Sequence, residues 1–211
     1  GQKIWISPLE NVGFGHARLS IIDLETGDQP LHNVNQTIHL VANGELYDFE
    51  KTREDLIKRG HKFLTKSDSE IALHLYKEFG LDFVNHLRGE FAILLWDEIN
   101  KRFIAVRDRF GIKPLYYANI NNQFYFASEA KALFKFGVPA ELDEESVYQN
   151  TYLPGSLPNK SLFRHVHALP AGHIMTIDSS GMNIKQYWDF DYPLYEENEK
   201  INSNKDKEYI Q

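Results

Sequence analysis

Cysteine and histidine often supply the nucleophiles and metal ligands of protein sites, so their positions are the starting point. The 211 residues contain no cysteine, which excludes a thiol nucleophile, a disulfide and a thiolate metal site within this chain. Among the nine histidines the zinc-type spacing is limited to His165-Val166-His167, whose rings would share one face of a strand. No third ligand follows nearby, so we expect structural or surface histidines and no metal site.

Three polar positions could bind a small molecule, and each also has a purely structural explanation. Asn43-Gly44 follows an apolar run and matches the two-residue turn of a type I′ hairpin. Asp68 lies within a Ser-x-x-Glu segment, Ser67–Glu70, which predicts a helix capping box where an acid favours the helix dipole without any ligand. Arg18 could pair with Asp23. Taken singly, these residues leave both explanations open.

Strands must position most of these residues, because short apolar runs bounded by turn residues dominate the chain. The predicted strands are Ile4–Ile6, Val12–Ser20, Thr37–Ala42, Phe91–Trp96, Arg102–Arg107, Leu115–Ala118, Phe124–Ser128, Ile174–Ile177 and Ile184–Trp188. The predicted helices are Phe49–Arg59, a helix that begins near Glu70 and ends at Gly80, and Glu129–Phe136. Phe91–Trp96 is almost wholly apolar, so we expect both of its faces to be covered. The pattern predicts an α+β fold of two antiparallel sheets packed face to face, with helices outside.

Composition indicates one folded domain followed by a polar tail. Hydrophobic residues make up 42% of the chain and aromatic residues 13%, enough for a substantial core. The formal charge of -7 argues weakly against nucleic acid or an anionic membrane as partner. No apolar run is long enough to span a bilayer, so we expect a soluble, cytoplasmic protein. Hydrophobicity falls from Tyr195 onward, which predicts a domain over 1–190 and a linker or tail over 191–211.

Several motifs, taken together in their order and spacing, go beyond composition. They are Gly15-His16-Ala17-Arg18-Leu19-Ser20-Ile21-Ile22-Asp23, Ala42-Asn43-Gly44-Glu45-Leu46-Tyr47, Ser67-Asp68-Ser69-Glu70 and Arg107-Asp108-Arg109-Phe110-Gly111-Ile112-Lys113-Pro114-Leu115-Tyr116-Tyr117, supported by Arg88-Gly89-Glu90-Phe91-Ala92, Ala127-Ser128-Glu129-Ala130-Lys131-Ala132-Leu133 and Leu169-Pro170-Ala171-Gly172. This series resembles the N-terminal glutaminase domain of glutamine-hydrolysing asparagine synthetases. The resemblance covers about Gly1 to Asp189.

The resemblance implies a fold and a mechanism. The fold is the four-layer αββα sandwich of the N-terminal-nucleophile type. In the mechanism an N-terminal cysteine thiolate attacks the side-chain amide of glutamine, the cysteine's own α-amine serves as base, and ammonia leaves. A second, C-terminal domain then uses the ammonia on aspartate activated by ATP. The expected partners are L-glutamine and that synthetase domain, and a homodimer is a further arrangement compatible with the family. ATP and Mg²⁺ are expected only in the synthetase domain, with no cofactor in this one.

The resemblance also assigns roles to individual residues. The Asn43 side chain and the Gly44 N–H would form the oxyanion hole, since attack on an amide creates a negative oxygen. Arg18 would bind the α-carboxylate of glutamine through its two-pronged guanidinium, and Asp68 and Glu45 would lie near the α-ammonium. The pocket would be lined by Leu19, Ser20, Ile21 and Ile22. The Arg107–Tyr117 segment is expected to be a structural element under the pocket.

The chain departs from the family pattern at both ends. The Met-Cys-Gly opening and the His-Arg-Gly-Pro-Asp segment are absent, so the nucleophile and the first strand of its sheet are not among these residues, and neither is the Ser-Gly-Gly-x-Asp-Ser loop that holds ATP pyrophosphate. We therefore expect this polypeptide not to hydrolyse glutamine. Three readings stay open: a piece of a glutamine-dependent asparagine synthetase, which the intact pocket residues favour; a cysteine-less pseudo-glutaminase that acts as a binding or scaffold module; and a vestigial domain of a relative resembling β-lactam synthetases.

Overall fold

The computed structural model describes residues 1–9, 11–17, 27–153 and 159–192. Within them the strands are β1 (Gln2–Ile6), β2 (Gly13–Ala17), β3 (Leu31–His32), β4 (Ile38–Leu46), β5 (Gly89–Asp97), β6 (Arg102–Arg107), β7 (Tyr116–Ile120), β8 (Gln123–Ala127), β9 (His167–Ala168), β10 (His173–Asp178) and β11 (Gly181–Gln186). The helices are α1 (Phe49–Lys58), α2 (Glu70–Phe79), α3 (Ala130–Lys135) and α4 (Glu144–Tyr152), and Gly80–His86 form a 3-10 helix.

The central sheet has six strands in the order β11-β10-β6-β5-β4-β3, and each neighbouring pair is antiparallel. Its inner strand β5 contains the apolar run that we expected to be covered twice. Ile93 and Leu95 belong to one buried cluster, whereas Ala92 packs into another. Successive side chains of a strand point to opposite faces, so the prediction of two covered faces is confirmed.

Two helices cover one face of the central sheet. Leu56 of α1 and Ile71, Leu75 and Tyr76 of α2 share a buried cluster with side chains of β4, β5 and β6. Their spacing on α2 puts them on one side of the helix. α2 ends before Gly80, whose positive φ of 57° suits a residue without a Cβ, as predicted.

The other face of the central sheet is covered by two smaller sheets, β8-β7-β9 and β1-β2. Tyr117 of β7 packs with Met175 of β10, and Phe14 of β2 packs with Trp96 of β5. The second sheet layer is therefore divided, within the described residues, into a three-stranded and a two-stranded part. The sequence predicted one sheet there.

A helix forms the fourth layer. Leu133 of α3 packs against Ala118 of β7, which points away from the central sheet because its neighbour Tyr117 points toward it. The layers run helix, sheet, sheet, helix, and the predicted α+β sandwich is confirmed.

A groove of about 650 Å³ lies between the two smaller sheets. One wall is β2 and the other is β8, and each is the edge strand of its sheet among the described residues. The floor comes from the central sheet through Val41, Leu94 and Trp96. The groove therefore combines an apolar floor with two strand edges that can still accept a neighbour.

The limits of most elements agree with the sequence to within a few residues, and two differences matter here. β4 continues to Leu46 instead of ending at Ala42. The helix α4 was not predicted, because Ser146 is its one buried residue and the apolar period that marks α2 is missing. No helix within the described ranges is long and apolar enough to cross a membrane.

Candidate functional site

The Asn43-Gly44 pair lies inside strand β4. Gly44 is opposite Phe91 and Glu45 is opposite Glu90 of β5. The hairpin-turn explanation of Asn43-Gly44 is therefore wrong, since the chain continues as a strand through both residues. The side chains of Asn43 and Glu45 are exposed.

Backbone direction gives the Gly44 amide a particular environment. The N–H groups of a strand alternate in direction, so those of Ala42, Gly44 and Leu46 point to the same edge of β4. The Ala42 N–H donates to Gln29 Oε1 at 2.6 Å, and the Leu46 N–H donates to Asp68 Oδ2 at 2.8 Å. Gly44 lies between these two, beyond the short β3, which pairs only with residues 39 and 40 of β4. Among the residues that the structure describes, no strand pairs with Gly44 on this side of β4, and its N–H points to this edge.

Glycine is required at position 44 by the neighbouring strand. Gly44 has a φ of 140°, and a Cβ there would lie 1.9 Å from the Glu90 carbonyl oxygen. The reciprocal contact occurs at Gly89, where a Cβ would lie 2.2 Å from the Glu45 carbonyl oxygen. The two glycines let β4 and β5 approach closely at this end of the sheet.

Asp68 joins a second motif to β4. Its side chain is buried, one carboxylate oxygen accepts the Leu46 N–H, and the other lies 3.4 Å from the hydroxyls of Ser67 and Ser69. Asp68 precedes the cap residue Ser69 and makes no capping bond to α2. The helix-dipole explanation does not account for this geometry, whereas the bond to β4 does.

The predicted capping box is wrong. The Glu70 carboxylate turns away from Ser67 and accepts the N–H groups of Leu64 and Thr65 at 2.6 and 2.7 Å, together with the Thr65 hydroxyl. Burial alone would raise the pKa of Glu70, but hydrogen bonds from His74, Thr65 and the Leu64 N–H outweigh it and lower the pKa. Glu70 therefore holds the segment that leads to Asp68.

Arg53 of α1 holds the same segment from the other side. Its guanidinium donates to the carbonyl oxygens of Thr65 at 2.7 Å and Ser67 at 2.6 Å, and it lies 4.3 Å from the centre of the Phe63 ring. Charged donors make the stronger hydrogen bonds of a protein. The backbone on both sides of Lys66 is thus fixed by two charged groups, directly before Asp68.

The Arg107–Tyr117 segment is organised by one buried carboxylate, that of Asp108. Asp108 has no exposed surface and accepts hydrogen bonds from four backbone N–H groups, at 3.0 to 3.3 Å. The donors are Phe91, Phe110, Ile112 and Lys113. Phe91 is the residue opposite Gly44, so this carboxylate fixes the loop against the strand that faces the candidate oxyanion donor.

Arg107 completes this loop. Its guanidinium donates to the carbonyl oxygens of Lys113, Gly111 and Leu169 at 2.7 to 2.9 Å, and burial lowers its pKa. The Lys113 ammonium lies 3.0 Å from Glu90 Oε1, next to the exposed Glu45 of the candidate site. The segment thus contributes structure and charge beneath the site.

The remaining predicted site residues, Arg18, Leu19, Ser20, Ile21 and Ile22, lie outside the described residues, as does the alternative Arg18–Asp23 pair. β2 ends at Ala17, immediately before them. The structure brings together Asn43, Gly44, Glu45 and Asp68. Their roles toward glutamine stay predictions.

His165 and His167 have separate partners. His165 Nε2 lies 3.6 Å from Glu141, and the His167 ring lies 5.3 Å from that of Tyr117. Over the ranges that the structure describes, no group of three or more His, Asp or Glu side chains could hold a metal ion. The groove between β2 and β8 reaches Val41 of β4 but is not lined by Asn43, Glu45 or Asp68.

Fold and site together define a class: an α+β sandwich in which a glycine amide lies at an edge of β4 that no other described strand covers, beside a buried acid. The chain belongs to the glutamine amidotransferase domain family, whose model matches residues 1–188. Its motifs place it with the class II domains of asparagine synthetase-like proteins, as the sequence predicted.

Similar proteins agree with this family. The chain is 41% identical over 90% of its length to the amidase chry2 of Gibberella zeae, and 39% identical over 91% to asparagine synthetase [glutamine-hydrolyzing] 1 of Bacillus subtilis. It spans 28% and 31% of these two relatives, so less than a third of each. A structure of glutamine phosphoribosylpyrophosphate amidotransferase from B. subtilis superposes on this chain with a TM-score of 0.62 at 22% sequence identity. The superposition covers 84% of this chain and 35% of the other, and it shows that the two share a fold.

Sequence reasoning missed several residues that hold the site in place. Asp108 was noted only as part of a motif, and Arg53 was not singled out. Glu70 was assigned the wrong partner. Each acts on residues that are distant in the chain or lie in an irregular loop, so no helical or strand period marks it. One usable signal was the position of two glycines in separate motifs, Gly44 shortly after the predicted strand Thr37–Ala42 and Gly89 shortly before the predicted strand Phe91–Trp96.

Proposed function

We propose that this domain binds L-glutamine and supplies ammonia for the ATP-dependent amidation of an acceptor, with aspartate as the acceptor and asparagine as the product. The observation that carries the proposal is the open edge of β4. There the Gly44 N–H lies between two amides that already have acceptors, Gln29 Oε1 and Asp68 Oδ2. Over the described ranges no strand pairs with Gly44 on that side, and a rigidly held donor is what a developing oxyanion requires.

The proposed chemistry needs a cysteine from outside these 211 residues. Its thiolate attacks the amide carbon of glutamine, and the carbonyl electrons move to oxygen, where Asn43 and Gly44 donate hydrogen bonds. Collapse expels the amide nitrogen, which takes a proton from the protonated α-amine of the cysteine and leaves as ammonia. Water then attacks the thioester, gives a proton back to the α-amine, and releases glutamate and the thiolate.

The groove between β2 and β8 is a candidate binding position for the segment that carries the nucleophile. Both walls are strand edges, and the floor is formed by the apolar side chains of Val41, Leu94 and Trp96. A further strand would pair with either wall and join the two small sheets into one layer. We propose that a strand preceding Gly1 in a longer protein fills it.

The acceptor and the setting of the domain are further parts of the proposal. One relative is named an asparagine synthetase and another an amidase, and the former supports aspartate as acceptor. We also propose that the domain covers 1–190 and that 191–211 form a linker. The same proposal includes a synthetase domain that binds ATP and Mg²⁺, no cofactor in this domain, and a cytoplasmic location.

The test uses the full-length gene product and the 211-residue chain side by side. In the full-length protein, Asn43→Ala should lower glutamine-dependent synthesis about 10²–10³-fold, as loss of one oxyanion donor does, and leave ammonia-dependent synthesis intact. Asn85→Ala, on the exposed 3-10 helix, is the matched control. The 211-residue chain should bind glutamine in a calorimetric titration without forming glutamate. Equal loss of both synthetic activities in Asn43→Ala would contradict the proposal.

Arg18→Ala tests the specificity part of the proposal. If Arg18 binds the α-carboxylate, its removal should raise the KM for glutamine and leave ammonia-dependent synthesis unchanged, because ammonia bypasses the pocket. Binding of glutamine without turnover by the complete native protein would instead favour the pseudo-glutaminase. Absence of any glutamine binding would favour the vestigial domain of a β-lactam-synthetase-like relative.

A further inference from the structure

A line of four titratable side chains connects the surface to the segment that carries Asp68. Glu78 Oε2 lies 3.0 Å from His61 Nε2, His61 Nδ1 lies 3.2 Å from His74 Nδ1, and His74 Nε2 lies 3.4 Å from Glu70 Oε1. The side chains of both histidines are at most 6% exposed. Glu70 is the carboxylate that holds the backbone before Asp68.

Every contact in this line can be a hydrogen bond only if the two imidazole rings together carry a particular number of protons. Each carboxylate accepts only, so both Nε2 atoms must carry hydrogen. The contact between the two Nδ1 atoms needs one N–H and one bare nitrogen. The pair therefore holds three protons and one positive charge. With two protons the Nδ1 lone pairs face each other, and with four protons two N–H groups collide and two cations are adjacent.

Two acidic and two basic side chains surround the pair. The acids are Glu70 and Glu78, both on α2. The bases are Arg53 of α1 and Arg59, which directly follows α1. Arg59 Nη1 lies 3.1 Å from Glu78, and Arg53 stacks on the Phe63 ring. Phe63 in turn contacts the His74 ring, at 4.1 Å between centroids. The two carboxylates contact the pair directly, one at each end, whereas the two guanidinium groups lie beyond Glu78 and Phe63.

We propose that the His61–His74 pair is a positioning device for Asp68, and that it is engaged only in its three-proton form. In that form the pair holds Glu70 as the anion that fixes Leu64 and Thr65. Loss of the third proton or gain of a fourth weakens the grip of Glu70, and Asp68 loses its fixed place beside Leu46. This inference rests on the proposed function, because Asp68 is assigned there to the α-ammonium of glutamine.

The proton count is tested on the 211-residue chain by ¹⁵N NMR of the histidine rings. The spectrum, recorded with Glu70 ionised, is expected to show both Nε2 atoms of His61 and His74 protonated and a single proton on their two Nδ1 atoms. Two bare Nδ1 atoms, or two protonated ones, would overturn the inference. No glutamine is involved, so the outcome is independent of the proposed function.

The positioning role is tested with His74→Gln, which can still donate to Glu70 but cannot carry charge, and with the control His86→Gln, a half-exposed histidine stacked on Phe79. Hydrogen exchange of the Leu46 and Thr65 amides in the 211-residue chain should become about tenfold faster in His74→Gln, with no change in the control. In the full-length protein the glutamine KM should rise about tenfold while kcat and ammonia-dependent synthesis stay the same.

The two failures can be told apart. Unchanged exchange at Leu46 in His74→Gln overturns the positioning role whatever the kinetics show. Faster exchange with an unchanged glutamine KM would support the positioning role and would instead overturn the assignment of Asp68 to the α-ammonium of glutamine. A full-length protein that has no glutamine-dependent activity at all refutes the proposed function, while the exchange and NMR results still decide whether the histidine pair holds the segment.

Discussion

Two buried carboxylates hold loops near the candidate site, and they do so by different means. Asp108 accepts four hydrogen bonds, all from backbone N–H groups. Glu70 accepts from two backbone N–H groups, from a threonine hydroxyl and from His74. Asp108 serves the side of the site formed by β5, and Glu70 serves the side formed by Asp68.

The two carboxylates differ in whether their hydrogen-bond donors can change charge with pH. Backbone donors cannot titrate, so no donor in the shell of Asp108 changes charge with pH. The shell of Glu70 includes the His74 imidazole, a group that exists in a neutral and a charged form. The β5 side of the site therefore has a constant geometry, whereas the Asp68 side depends on proton occupancy. Substitutions that act on one carboxylate at a time can separate the contributions of Asp108 and Glu70.

The largest effect is expected for Asp108→Ala. It leaves four N–H groups without their acceptor, and each buried donor left unsatisfied costs about 1–3 kcal/mol. Partial solvation and relaxation reduce the sum, so we expect the free energy of unfolding to fall by about 3–5 kcal/mol. Urea denaturation monitored by fluorescence measures it. Asp108→Asn keeps one oxygen and should recover about half of the loss.

The matched control for Asp108 is Asp82→Asn, an exposed acid paired with His86 and Asn85. Exposed substitutions of this kind change stability by about 0.5 kcal/mol or less. A loss below about 1 kcal/mol in Asp108→Ala would show that water replaces the carboxylate and that the loop does not depend on it.

Glu70→Gln should have an intermediate effect that depends on pH. Hydrogen bonds to a charged acceptor contribute about 1.5–3 kcal/mol, and the substitution keeps the oxygen but removes the charge, so we expect a loss of about 1–2 kcal/mol at pH 7. The pKa of Glu70 is lowered in the folded state. Its stabilising contribution is therefore complete above its ordinary value of 4.5 and is lost as the pH falls through the folded pKa.

The measurement is a series of urea denaturations of both proteins between neutral and acid pH. The two stability curves should lie apart at neutral pH and converge as the solution is acidified. A constant separation down to the acid limit would show that the charge of Glu70 contributes nothing and that the loss comes from packing. Such a result would remove the contrast with Asp108.

The same comparison explains what the sequence could reveal. Strand β5 was predicted from a short, almost wholly apolar run, and helix α2 from apolar residues on one side of a helix, and both patterns follow from local geometry. Asp108 and Glu70 follow no such pattern. Their partners lie on another strand or in irregular loops, and a carboxylate near a helix start fits a capping box equally well in sequence. Only the folded chain selects Leu64 and Thr65 over Ser67 as partners.

The C-terminal end of β4 was predicted at the wrong residue. Asn43-Gly44 has the composition of a tight turn, and the strand was predicted to stop there. The strand continues because β5 pairs with it as far as Leu46, and Gly44 lets the Glu90 carbonyl approach while Gly89 lets the Glu45 carbonyl approach. A local preference was overridden by pairing with a strand that is distant in the sequence. The motifs named the right residues, but their arrangement depended on tertiary pairing.

The smallest effects concern the surface ion pairs that flank each carboxylate, Lys113–Glu90 beside Asp108 and Arg59–Glu78 beside Glu70. Both are partly exposed, at 3.0 and 3.1 Å, and pairs of this kind contribute about 0–1 kcal/mol. They differ in their neighbours. Glu90 is directly opposite Glu45, and like charges that face each other across a sheet are destabilising.

Lys113→Met should therefore cost more than Arg59→Met, by a few tenths of a kcal/mol, about the size of one cross-strand pair. Salt separates the two causes. The Glu45–Glu90 repulsion that Lys113→Met exposes is screened at about 1 M NaCl, so the gap between the variants should shrink there in urea denaturation. A gap that is independent of salt would assign the difference to the packing of the lysine stem. The β5 side would then owe its geometry to Asp108 alone, and its exposed charges would contribute nothing to it.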